Sequence, residues 1–102
     1  MEERRGTRRF ALRLPVDVRL TGSDHEVHTQ TKDVSARGVY FYLSNPIAEG
    51  DRVDFTLTLP PEITLTDSIH VKCRGRAVRI EPEAQSGKVG VAAIIDEYQF
   101  LS

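Results

Sequence analysis

The feature that most constrains the fold is a strict alternation of apolar and polar residues. In residues 12–20, leucine and valine alternate with Pro15 and with charged residues, and residues 53–59 repeat the pattern. Because successive side chains of a strand point to opposite faces, each segment is predicted to be a strand with one buried and one wet face. Pro15 cannot donate a hydrogen bond to a neighbouring strand, so it indicates an edge position or a bulge.

Four further segments are predicted to be strands because they contain β-branched and aromatic residues. They are residues 27–32, 39–43, 69–80 and 88–95, with Gly75 marking a bend or bulge in the third. Turn-forming residues separate the segments, and residues 60–68 are predicted to be a loop. Residues 96–102 are predicted to be a tail, in which residues 96–101 can start a short helix. The pattern predicts an all-β fold, a small antiparallel barrel or sandwich.

Length and composition are those of one soluble globular domain. The chain has 102 residues, of which 39% are hydrophobic and 28% charged, so it can bury a core without disulfides or metal. Cys73 is the only cysteine, which excludes an internal disulfide and favours a packing role. No apolar run reaches membrane-spanning length, so a cytoplasmic protein is expected.

The cationic residues are concentrated at the N-terminus. The net charge is −1, yet five arginines lie in the first thirteen residues, among them Arg4, Arg5, Arg8 and Arg9. Arginine stays charged, and its planar fork matches a phosphate or a guanine edge through two parallel hydrogen bonds. Gly6 and Thr7 disfavour a helix, so residues 1–11 are predicted to be a flexible arm. A solvated basic tail has the same composition.

A second candidate site is the segment Asp33-x-Ser35-x-x-Gly38, which interrupts the strand pattern. Residues at alternate positions of an extended segment point the same way, so Asp33 and Ser35 can act together. A carboxylate and a hydroxyl suit the donor edge of a guanine, its N1–H and amino groups. Gly38 permits a tight backbone path or the close approach of a ligand. A turn in which Asp33 or Ser35 bonds nearby backbone is the structural alternative.

Arginines four apart, then a strand, then Asp-x-Ser-x-x-Gly, resemble the PilZ domain, the bacterial receptor for cyclic di-GMP. The resemblance covers nearly the whole chain and includes residues 14–16, Glu49 with Gly50, and residues 87–91. It implies a six-stranded antiparallel β-barrel and a single domain over residues 1–102. In this domain the arm is 1–11, the barrel 12–95 and the tail 96–102.

The resemblance also implies a site for cyclic di-GMP, with no cofactor or metal. The residues it assigns to that site are Arg4, Arg5, Arg8, Arg9, Asp33, Ser35, Arg37, Gly38 and Arg79. The paired arginines are Arg5 with Arg9, or Arg4 with Arg8. Arg37 replaces a glycine frequent in relatives, and Arg79 aligns with a tryptophan of some relatives. A guanidinium at that position can stack on a base, and an exposed strand arginine is the alternative.

These features predict a receptor or adaptor that passes the cyclic di-GMP signal to a partner protein, as a monomer or a ligand-linked dimer. An enzyme is not expected. His25, His28 and His70 are scattered along the chain, and no nucleophile or second carboxylate lies at a spacing from them that is typical of a catalytic site. The main alternative is a PilZ-like adaptor that binds no nucleotide. A third is a barrel that binds single-stranded nucleic acid on Tyr40 and Tyr42, although the net charge of −1 disfavours DNA.

Overall fold

The computed structural model describes residues 10–20, 26–44, 47–82 and 87–101. Its strands are β1 (Pro15–Leu20), β2 (Glu26–Val34), β3 (Gly38–Leu43), β4 (Arg52–Leu59), β5 (Ile69–Pro82) and β6 (Val89–Leu101). The strands form a closed barrel in the order β1-β2-β3-β6-β5-β4, and every neighbouring pair is antiparallel. The predicted six-stranded antiparallel barrel is therefore confirmed.

The core fills the inside of the barrel with alternate residues of the strands. Val18, Phe41 and Val91 have no exposed surface, and Phe55 of β4 is 2% exposed. Cys73 of β5 is also buried, which raises the pKa of its thiol to about 11 and fits the expected packing role. Because side chains occupy the interior, a ligand must bind on the outer face or at a rim.

The prediction for residues 96–101 is wrong. They belong to β6 and pair with residues 70–74 of β5, instead of starting a short helix in a tail that follows the barrel at residue 95. Strand pairing between distant parts of the chain outweighs local preference in such a segment.

Two smaller local predictions are also corrected, and a third is confirmed. In the segment predicted to be a loop, residues 61–64 form a short helix, α1 (Pro61–Thr64). The first strand begins at Pro15 and not at Leu12, so Pro15 is the first residue of a strand, where a missing N–H is tolerated. The predicted irregularity at Gly75 is confirmed by a register shift between Arg74 and Gly75.

In the described part of the chain, no helix has the length and apolar character to cross a membrane.

Candidate functional site

The end of β2 carries Asp33 to the outer face of the barrel. A register shift between Thr31 and Asp33 introduces a β-bulge, after which Asp33 lies opposite Tyr40 of β3. Directly paired residues of an antiparallel ladder project to the same face. Tyr40 projects outward because its chain neighbours Val39 and Phe41 both belong to the core. Asp33 therefore lies on the outer face.

Ser35 holds the hairpin between β2 and β3 closed. Its N–H donates to the carbonyl oxygen of Gly38 over 2.8 Å. Its Oγ accepts from the N–H groups of Arg37 and Gly38 at 3.2 and 3.1 Å, and lies 3.3 Å from the Gly38 oxygen. The structural alternative for this residue, a serine turn, is thus present. A ligand that contacts the hydroxyl must replace one of these bonds.

Gly38 and Arg37 have different environments at this hairpin. A Cβ atom at Gly38 would lie 2.5 Å from the carbonyl oxygen of Ala93 in β6, so glycine is explained by the close approach of two backbones. The carbonyl oxygen of Arg37 accepts a hydrogen bond of 2.7 Å from the N–H of Ile95, while Arg37 as a whole is exposed. Its side chain therefore stands in solvent at the turn.

Asp33 and Arg79 lie in one row across four strands. Asp33 pairs with Tyr40, Tyr40 with Ala92 of β6, and Ala92 with Arg79 of β5. We call these four residues the outer row. With neighbouring strands about 4.8 Å apart, the backbones at the two ends of the row are about 14 Å apart. Ala92, between them, has a small side chain and is 6% exposed.

A polar network crosses the outer face beside this row. Tyr40 is 6% exposed and donates its hydroxyl to Glu81 of β5 over 2.7 Å. To reach Glu81 the ring passes over Gly90, where any Cβ would overlap it. The other carboxylate oxygen of Glu81 lies 2.7 Å from Nε of Arg79. Arg79 is therefore held by a carboxylate.

The charges of this network fix its protonation. The hydrogen bond from Tyr40, together with Arg79, lowers the pKa of Glu81 below its usual value. Burial and then the bond to Glu81 raise the pKa of Tyr40, so its hydroxyl stays protonated. Nζ of Lys32 lies 5.5 Å from the centroid of the Tyr40 ring, at cation–π distance. The sequence interpretation missed Lys32 and Glu81, although the spacing of Arg79 and Glu81 on one strand face was a usable signal.

The chain reaches this surface at Phe10, within the predicted arm and directly after its last arginine. Arg4, Arg5, Arg8 and Arg9 lie outside the described residues. The next residue, Phe10, forms an isolated bridge to Val34, with N–H···O distances of 2.8 and 2.9 Å in the two directions. Val34 stands between Asp33 and Ser35 in the chain. The residue bonded to Arg9 is therefore fixed beside the Asp-x-Ser-x-x-Gly segment.

A family model for the PilZ domain matches residues 3–99. The chain belongs to the PilZ domain family. No curated protein matches it. Among solved structures, the chain is similar to the inhibitor of motility (MotI/DgrA) of Bacillus subtilis, with a TM-score of 0.79 and 20% sequence identity. The match covers 95% of this chain and 44% of that protein, so this PilZ chain spans less than half the length of its structural neighbour.

The PilZ barrel brings the described candidate residues onto one surface. Asp33 and Arg79 lie at the two ends of the outer row, and residues 35–38 form the hairpin beside it. His28 pairs with Asp17 of β1 and His70 lies 3.1 Å from the Thr58 hydroxyl, whereas His25 is outside the described residues. Within the described ranges, no three His, Cys, Asp or Glu side chains could hold a metal ion.

Proposed function

We propose that this PilZ domain is a receptor for cyclic di-GMP, which lies on the outer row and is covered by the arginine-rich arm. The observation that carries the proposal is the bridge between Phe10 and Val34, because it fixes the start of the arm beside Asp33 and Ser35. PilZ domains are generally cyclic di-GMP receptors, and they are binding or adaptor modules rather than enzymes.

The chemistry of the ligand matches the groups on and beside this surface. The carboxylate of Asp33 accepts from the N1–H and amino group of one guanine, and arginines of the arm bind the two phosphates. Arg79, whose Nε is held by Glu81, offers a fixed guanidinium plane on which a base can stack. Arg37 adds a solvent-exposed cation at the hairpin.

The expected affinity follows from these contacts. Each charge-assisted hydrogen bond contributes about 1.5–3 kcal/mol. About four of them, less the cost of ordering the arm, reach about −8 kcal/mol, which corresponds to micromolar affinity. Ordering of the arm by the ligand is the change that a partner protein would detect. The proposal implies a cytoplasmic bacterial protein that acts as a monomer or a ligand-linked dimer.

Isothermal titration calorimetry of the intact chain tests this function. We expect cyclic di-GMP to bind with micromolar affinity and cyclic di-AMP, which lacks the guanine donor edge, to bind at least tenfold more weakly. Arg9→Ala and Asp33→Asn should each weaken binding about tenfold or more, since each loses a charge-assisted bond. Comparison of Arg4→Ala with Arg5→Ala settles the arginine register.

The matched control is Arg74→Ala, which removes a cation from the same strand as Arg79. Arg74 lies 3.9 Å from Glu97 and away from the outer row, so its loss should leave the affinity unchanged. Ser35→Ala is less informative, because it also opens the serine turn. Absence of cyclic di-GMP binding by the intact chain, or equal binding of cyclic di-AMP, would overturn the proposal.

A second candidate function is a protein adaptor that binds no nucleotide. It is favoured by Tyr98 and Phe100, which are each 62% exposed near the end of β6, because aromatic residues are enriched at protein interfaces. The same titration separates the two functions. The adaptor predicts no heat of binding for cyclic di-GMP and no effect of Arg9→Ala.

A further inference from the structure

We infer that Thr31 is the anchor that holds residues 10–14, and with them the attachment point of the arginine-rich arm, beside the ligand surface. The inference rests on the proposed function. It concerns how the start of the arginine-rich arm is held next to the barrel surface that carries Asp33. Thr31 acts through residues 10–14, which we call the leader: they comprise the last two residues of the predicted arm and the residues that follow up to β1. It is a positioning residue and does not itself contact the ligand.

Among the described residues, Thr31 is the polar residue that is buried, with 2% of its surface exposed. Its hydroxyl donates to the carbonyl oxygen of Leu12 over 2.6 Å and accepts from the N–H of Leu14 over 2.9 Å. Its own N–H donates to the carbonyl oxygen of Leu14 over 3.0 Å. The leader lies outside the regular strands, so one side chain of β2 supplies the bonds that strand pairing would otherwise provide.

The same short stretch of β2 also organises the ligand surface. Thr31 lies on the core side opposite Phe41, and the β-bulge that follows it turns Asp33 outward. Val34 then binds Phe10 at the arm end of the leader. Residues 31–34 therefore fix both the position of Phe10, which follows Arg9 in the chain, and the position of the Asp33 carboxylate. Such preorganisation lowers the ordering cost of binding.

The hydroxyl of Thr31, rather than the shape of its side chain, is the group expected to hold the leader. Valine has the shape of threonine, so Thr31→Val keeps the packing but leaves the Leu12 oxygen and the Leu14 N–H without their partner. The leader is then held by the backbone bonds from Thr31 to Leu14 and between Phe10 and Val34, and by the burial of Leu14, which is 1% exposed. We expect the core to persist and the leader to detach from β2.

Two variants separate the anchor from the general loss of a hydroxyl on β2. Thr31→Ser keeps the hydroxyl and should restore wild-type behaviour. Thr29→Val removes a hydroxyl from the same strand, but that hydroxyl donates to the carbonyl oxygen of Tyr42 over 2.9 Å and not to the leader. It should leave the position of the arm unchanged.

The first experiment uses no ligand. Amide hydrogen exchange of the intact chain should show that Thr31→Val loses protection of the Phe10 N–H, which donates to Val34, while Thr29→Val and Thr31→Ser keep it. If the Phe10 N–H stays protected in a folded Thr31→Val protein, Thr31 is not the anchor of the leader. This result decides the inference even if the domain binds no nucleotide.

The second experiment is a double-mutant cycle on the affinity for cyclic di-GMP. Thr31→Val should weaken binding about tenfold, and Arg9→Ala should then cost much less in the Thr31→Val background than in the wild type. Additive losses would contradict the anchor, because they would mean that Thr31 acts independently of the arm. Failure of the wild type to bind at all would instead overturn the proposed function.

Discussion

At two positions of the outer face a side chain is excluded for different reasons. At Gly38 the obstacle is the carbonyl oxygen of Ala93, which strand pairing holds in place. At Gly90 the obstacle is the ring of Tyr40, which can rotate away if its bond to Glu81 is given up. The sequence shows both glycines but cannot distinguish them, because the difference lies in what the neighbouring strand places above each one.

The double mutant of Gly90 and Tyr40 tests this distinction. Gly90→Ala should destabilise the protein by about 1–3 kcal/mol, since the new methyl group displaces the Tyr40 ring. In a Tyr40→Ala background the same substitution should cost at least about 1 kcal/mol less. The measurement is urea unfolding of the four proteins. Gly38→Ala is the control, because its cost should persist without Tyr40.

An additive result at Gly90 would show that the Tyr40 ring is not the obstacle. The Glu81 carboxylate would then have to be held by Arg79 alone, and the preorganised guanidinium of the proposed site would lose part of its support. Gly90 of β6 is thus linked to the proposed ligand surface through Tyr40 and Glu81.

At the scale of elements, the ladder between β1 and β2 carries a pH-dependent pair. Asp17 and His28 are directly paired across the two strands, and Nδ1 of His28 contacts Oδ1 of Asp17. The hydrogen bond and the negative charge of Asp17 raise the pKa of His28 above 6.5. A raised folded-state pKa means that the pair stabilises the fold below about pH 6.5 and loses this contribution as pH rises through the folded-state value.

NMR titration of the His28 ring should therefore give a pKa above 6.5 that falls in Asp17→Asn. Because the pair is exposed, its effect on stability is small, and unfolding at several pH values should show it only as a difference between wild type and His28→Gln. That difference should shrink from acid to alkaline pH. A His28 pKa at or below 6.5 in the wild type would contradict the contact.

The sequence predicts the strands better than their ends and irregularities. Alternation and β-branched residues predicted all six strands, because one wet and one buried face require that pattern. The end of β6 was predicted wrongly, since residues 96–101 become a strand only by pairing with residues 70–74 of β5. Asp33 was expected on the barrel surface, but the bulge that turns it outward was not predicted. No residue type indicates this bulge, which follows Thr31.

At the scale of the whole molecule, the long strand β6 is paired with two neighbouring strands along only part of its length. Residues 89–94 of β6 lie between β3 and β5, whereas residues 96–101 pair, within the described chain, with β5 alone. Tyr98 and Phe100 lie opposite Cys73 and Val71, on the face that forms the core elsewhere, yet each is 62% exposed. The resemblance assigns Asp33 and Arg79 to one site, and the strand order β2-β3-β6-β5 is what places them in one row.

The unequal closure predicts unequal local stability along β6. Amides of residues 89–94 should exchange with solvent much more slowly than those of residues 96–101, because strand segments paired on both sides open only with the core. Native-state hydrogen exchange followed by NMR measures both halves in one sample. Equal protection would mean that another segment covers the free edge of residues 96–101 in solution. If that protection rose with protein concentration, the cover would be a second copy of the chain, and the exposed aromatic pair would lie in its interface.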